Sequence, residues 1–111
     1  MSTENVKDLL RQRRAAVARL AKASDTLVRG SLLERFLPCG KPNCRCKDGH
    51  LHGPAYFLTV SYAHGKTRQV YVRKEAKATV ALWVSHYQEA WAALEEISRI
   101  NLELIRLKAV P

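Results

Sequence analysis

The segment Cys39 to Pro54 constrains this chain more than any other. Its sixteen residues hold all three cysteines and two of the four histidines, spaced by Gly40, Pro42, Gly49, Gly53 and Pro54. That density of glycine and proline excludes a helix or an unbroken strand and demands turns. Such a segment has no regular backbone to hold it, so its side chains must. Cys39, Cys44, Cys46 and His52 supply three thiolates and one imidazole in the spacing C-x4-C-x-C-x5-H, a complete tetrahedral set for zinc. Gly40 to Asn43 turn Cys39 back toward Cys44, and Asp48-Gly49 returns the chain to the histidine. His50 competes as the fourth ligand; His52 is favoured because Gly53-Pro54 follows it as a rigid step. Free thiols in a loop, or one disulfide beside a reactive thiol, are the competing expectations, and three is an odd number for disulfides.

Four protein ligands leave no open position for water, and Asp48 is the nearest carboxylate. The expected zinc is therefore structural and the protein is not expected to be an enzyme. A redox or zinc enzyme would need an open metal position or a low-pKa thiol. The Gly65-Lys66-Thr67 stretch suggests a phosphate loop, but Val60 stands where that motif needs glycine.

The chain has 111 residues, which suits one domain over residues 1–111. Its 47% apolar and 26% charged content excludes a disordered polymer. No apolar run approaches the length of a membrane span, and the first residues carry no secretory pattern. The expected location is the cytoplasm, where cysteines are more often metal ligands or reactive thiols than disulfides.

Net charge is +9, and its distribution is uneven. Residues 1–30 hold seven basic and three acidic side chains, residues 31–75 eight and three, and residues 76–111 four of each. The cationic surface belongs to the first two thirds. Lys41, Arg45, Lys47, Lys66, Arg68 and Arg73 cluster in the middle and are the candidate phosphate contacts.

Periodicity places the elements. Val6, Leu9, Leu10, Ala16, Val17 and Leu20 fall on one face of a helix over 3–23. Residues 31–37 are bounded by Gly30 and Pro38 and are short enough for a strand. Residues 55–62 and 68–73 alternate, and the connecting AHGKT, with Gly65 available for a positive φ, makes them a β-hairpin. Residues 75–108 form one long helix. Val80, Tyr87, Leu94 and Asn101 recur every seven residues, as do Trp83, Ala90, Ile97 and Leu104. Asn101 occupies a position where a buried asparagine fixes register. The sum is an α+β protein: a head over 31–73, with a zinc-pinned loop and β-hairpin, on an antiparallel helical stalk. The long helix exceeds the first in length, so an apolar stripe near its end is expected to overhang and to make a homodimer.

The residues Cys39-Gly40-Lys41-Pro42-Asn43-Cys44-Arg45-Cys46, His52-Gly53-Pro54 and Gly65-Lys66-Thr67-Arg68-Gln69-Val70-Tyr71-Val72 resemble a family of short uncharacterised bacterial proteins. That family carries C-G-K-P-x-C-x-C, H-G-P-Y and G-K-x-R-x-x-Y-V, and is often met near transposons, plasmids and integrated phages. Ala55 departs from the family tyrosine, with Tyr56 beside it. The family brings no established activity; its company favours nucleic acid as the partner. The functional expectation is a small zinc-stabilised nucleic-acid-binding accessory or regulatory protein of a mobile element, with DNA the favoured nucleic acid. The alternative is a protein–protein adaptor that uses the heptad-patterned C-terminal helix and a purely structural zinc.

Overall fold

The computed structural model describes residues 3–38 and 52–111. The elements run α1 (Thr3–Ala23), β1 (Ser31–Leu37), β2 (His52–Ser61), β3 (Thr67–Val72) and α2 (Lys77–Arg106), with short 3-10 turns at Ala63–Gly65 and Lys74–Ala76. The fold is α+β, and its three strands form one antiparallel sheet in the order β1-β2-β3. The chain divides into two compact units. One is Val28–Val84; the other combines Met1–Leu27 with Ser85–Pro111.

The sheet unit is organised by the alternation in β2. Tyr56, Leu58 and Val60 are buried, and Val72 of β3 joins them from the same face. Val28, Leu32, Ala76, Val80 and Val84 pack against this cluster, so the first turns of α2 cover that face. The Lys77 ammonium lies 4.6 Å from the centroid of the Tyr56 ring, closing one end of the core with a cation–π contact. Gly30 enters β1 at φ 145°, and a Cβ there would stand 2.8 Å from the Thr59 carbonyl oxygen. No side chain fits that approach, so the glycine sets how closely β1 lies on β2. The hairpin turns through two left-handed residues, His64 (φ 64°) and Gly65 (φ 72°), and the Tyr62 N–H donates to the Lys66 carbonyl at 2.6 Å. The expected glycine position is therefore the observed one.

In the helical unit α1 and the later part of α2 run antiparallel. Arg13 Nη1 donates to Asn101 Oδ1 at 2.8 Å, Arg19 pairs with Glu96, and His86 Nδ1 donates to the Thr26 carbonyl at 2.8 Å. Descending numbers on α2 thus meet ascending numbers on α1. The buried residues are Ala16 and Ala23 from α1 with Ala90, Ala93, Ile100, Leu104 and Leu107. Glu103 is held below its ordinary carboxylate value by the hydrogen bond from Arg106, against the opposing effect of desolvation. The pair is solvent-exposed and contributes little to stability.

Two expectations change here. The heptad line through Ala90 and Leu104 is buried, but its companion runs through Ala93, Ile100 and Leu107; Leu94 remains 47% exposed. Asn101 accepts its hydrogen bond from Arg13 of its own chain. The apolar stripe expected to lie open near the end of the long helix is seen at Leu102 and Ile105, which are 67% and 57% exposed. At the start of α2, Val80 and Val84 pack on the sheet.

Ile100 is completely buried, whereas Val17 on α1 is 48% exposed. Ile100→Ala is expected to destabilise by about 2–5 kcal/mol, and Val17→Ala by less than about 1 kcal/mol. Urea unfolding curves check the difference; equal costs would show that the helix pairing is wrong.

Candidate nucleic-acid interface and metal centre

The face of the sheet opposite the core is built from three rows. Antiparallel register places Leu33 beside Phe57 and Phe57 beside Tyr71. Next to this row, Ser31, Thr59 and Gln69 align. On its other side Arg35 pairs with Ala55, and Arg73 continues β3 in extended conformation toward the same level. Small Ala55 thus lies between two arginines.

The central row is aromatic, with Phe57 half-buried and its neighbours open to solvent. Tyr71 is 62% exposed, and its ring meets Phe57 edge-on with centroids 5.7 Å apart at 69°. The Arg35 guanidinium sits 5.8 Å from the Phe57 centroid. Such contacts hold the rings and the cation in place before any ligand arrives. Among the described strand residues the one carboxylate is Glu34, which pairs with Tyr56 and so belongs to the opposite face. The outer face carries cations, hydroxyls, an amide and rings, with no acidic side chain from the strands. Near its rim, Arg29 donates to the Ser61 carbonyl at 2.5 Å and stacks 5.1 Å from the Tyr62 centroid.

The sequence-derived contacts distribute unevenly over this surface. Arg73 joins the outer face. Lys66 is exposed in the hairpin turn. Arg68 does not join them: it pairs with Val60, whose side chain is in the core, so it lies at the exposed edge of the packing face. Alternation along β3 already separates Arg68 from Gln69, Tyr71 and Arg73, and it is the signal that could have removed it. The same alternation could have added Gln69 and Tyr71. Arg35 and Phe57 needed the β1–β2 register, which sequence does not supply. Lys41, Arg45 and Lys47 lie outside the described residues.

Of the expected zinc ligands, Cys39, Cys44 and Cys46 lie outside the described residues, as does the competing His50. Among the described residues no three His, Cys, Asp or Glu side chains are placed to share a metal. His52 is described, and its position bears on the set. It opens β2 and pairs directly with Leu37, two residues before Cys39.

A bulge makes this possible. Between the Arg35–Ala55 and Leu37–His52 pairs, β2 advances three residues while β1 advances two. The extra residue falls at Gly53-Pro54. Proline belongs at such a position because it has no N–H to give to the ladder. Gly53 has φ 149°, and a Cβ there would meet the Arg35 carbonyl oxygen at 2.7 Å. One inserted residue reverses which face a side chain takes. Without it His52 would share the core face with Tyr56; with it, His52 falls on the Leu37 and Arg35 side. The metal-ligand candidate and the arginine row therefore share one face.

Away from the sheet, the helical unit has a cleft of about 490 Å³ lined by Arg19, Lys22, His86, Glu89 and Glu96 over an alanine floor. Its cations are matched by carboxylates, and the Arg19–Glu96 pair occupies its rim. It offers no excess charge to an ionic ligand. No helix among the described residues is long and apolar enough to cross a membrane.

Residues 6–81 match the family described as a domain of unknown function, DUF6788. The chain belongs to this family. The matched span takes in most of α1, the whole sheet and the first residues of α2, and so includes every row of the outer face. No curated protein and no solved structure matches the chain.

The two tyrosines at neighbouring positions in the sheet separate its two faces energetically. Tyr56→Ala opens the core and is expected to cost about 3–5 kcal/mol, while the exposed Tyr71→Ala should cost less than about 1 kcal/mol. Urea unfolding of both variants checks this; a comparable loss at Tyr71 would mean that the aromatic row is structural.

Proposed function

We propose that this DUF6788 protein is a zinc-stabilised, non-enzymatic nucleic-acid-binding protein that acts in the cytoplasm on DNA, as an accessory or regulator of a mobile element. The observation that carries the reading is the outer face of the sheet: an exposed Tyr71 beside a half-buried Phe57, flanked by Arg35 and Arg73, with no carboxylate from the described strands on that side. A charge of +9 supplies the long-range attraction. An antiparallel sheet face of this kind can enter a DNA groove as β-ribbon readers do. Arg35, Arg73 and Lys66, with Lys41, Arg45 and Lys47 from the cysteine segment, would neutralise phosphates and set register. Gln69 has the paired donor and acceptor that read adenine, and Tyr71 offers a surface to a thymine methyl or an unstacked base.

The zinc would supply folding energy to the glycine- and proline-rich cysteine segment. His52, Cys39, Cys44 and Cys46 would hold it. Lys41, Arg45 and Lys47 offset the formal −1 charge of a three-thiolate site. Protein purified without chelator is expected to carry one zinc per chain. Cys44→Ser should release the metal and expose the remaining thiols to titration. Metal-free protein with three freely titrating thiols would remove the zinc from this reading.

Salt dependence tests the nucleic-acid contact. Six phosphate contacts predict a log–log slope of affinity on salt of about −5 on duplex DNA. Arg73→Ala should flatten that slope by about 1, while Tyr71→Ala should weaken binding with the slope unchanged. Fluorescence anisotropy on duplex and single-stranded DNA reads both. An adaptor that works through α2 would show neither binding nor slope, which would overturn the proposal.

A further inference from the structure

α2 carries a second apolar stripe that its own chain leaves open. Trp91, Leu94, Leu102 and Ile105 are 50%, 47%, 67% and 57% exposed. With Ser98 they fall within an arc of about 80° on the helix, spread along about 21 Å of its axis. The stripe is centred roughly 130° away from the buried line of Ala90, Ala93, Ile100, Leu104 and Leu107. It is therefore a distinct face and not the margin of the α1 contact.

Its order is symmetric about Ser98. Leu94 and Leu102 stand four residues to either side, and Trp91 and Ile105 stand seven. In an isologous two-fold contact centred on Ser98, each position meets the one equally far on the other side in the second copy, so apolar meets apolar along the whole stripe. We infer that α2 docks on α2 of a second copy of this chain, antiparallel, with the two-fold axis at Ser98. Leu94 then meets Leu102 of the second copy, and Trp91 meets Ile105 of the second copy. Two serines meet at the axis, where small side chains let the backbones approach.

The flanking charges fit the same axis. Gln88, Glu95, Arg99 and Arg106 occupy one side of the stripe. In an antiparallel pair that side faces its own copy. Glu95 then lies within about 3 Å, measured along the axis, of the level of Arg99 of the second copy, and the reciprocal pair forms by symmetry. Within its own chain Arg99 stands 3.8 Å from Glu96, a loose contact it can give up. Trp91 is already positioned: its indole N–H donates to the Tyr87 hydroxyl at 2.9 Å, and the rings meet edge-on at 6.5 Å. An aromatic anchor held in place before contact loses little entropy on docking.

This inference stands apart from DNA binding, and its test needs no nucleic acid. The full chain has a mass of 12.6 kDa. Sedimentation is expected to show twice that mass at about 100 µM, in keeping with a small interface. Leu102→Glu should weaken association at least about tenfold. Glu95→Arg and Arg99→Glu should each weaken it, and the double exchange should restore it. Geometry is read by oxidation. A Leu94→Cys protein mixed with a Leu102→Cys protein should give a 94–102 disulfide between copies, mapped by mass spectrometry, with wild type as control. A monomer at every concentration, a dimer indifferent to Leu102→Glu, or a 94–94 link from the Leu94→Cys protein alone would each overturn the inference; a strict monomer would leave this face to a different protein.

Discussion

The pairing of β1 with β2 is the constraint on which the rest of the sheet unit depends. It aligns Leu33 with Phe57 and Arg35 with Ala55, and it brings His52 opposite Leu37. The residues between Leu37 and His52 therefore leave and re-enter the fold at one place. Loop closure costs chain entropy before any ligand binds. Here the strand ladder meets much of that cost. Gly53 and Pro54 make the arrangement workable, since the bulge they form turns His52 to the arginine side.

The two faces of the sheet divide the work. Tyr56, Leu58, Val60 and Val72 bury themselves under the start of α2 and supply stability. Phe57 is half-buried and contacts both Tyr71 and Arg35, which remain open. An exposed ring on a small sheet adds little to the fold. The arrangement beside arginines, with no carboxylate from the described strands, is the physical basis for proposing that face as the nucleic-acid contact. Along α2 a similar division holds. Its first turns cover the sheet core, its later turns meet α1, and a third stripe through Trp91 and Leu102 faces outward.

Much of this was legible from the residues. The hairpin, the positive φ at Gly65, the strand at 31–37 and both helices follow from alternation, turn residues and apolar spacing. The ligand set Cys39, Cys44, Cys46 and His52 is an expectation from chemistry and count, and three of its four members lie outside the described residues. Other features were not legible. The heptad pattern of α2 was real, yet it mixed two stripes: Ala90 and Leu104 belong to the buried line and Leu94 to the open one. Periodicity reports that a face is apolar and is silent on which neighbour covers it. Arg68 looked equivalent to Arg73 as a cation in the same strand, although odd and even positions point opposite ways. Asn101 stands at a position where a buried asparagine fixes register, and the partner that meets it is Arg13 of its own chain.

By itself the sequence determined the element types and the charge of each region, because these depend on local backbone preference and on side-chain chemistry. The tertiary structure alone decided which residues share a face. The β1–β2 register set Arg35 beside Ala55 and Leu33 beside Phe57, and the bulge at Gly53-Pro54 set the side of His52. The antiparallel docking of α1 set which stripe of α2 is buried. Each of these joins residues far apart in the chain, and a shift of one residue in any of them would exchange inside for outside.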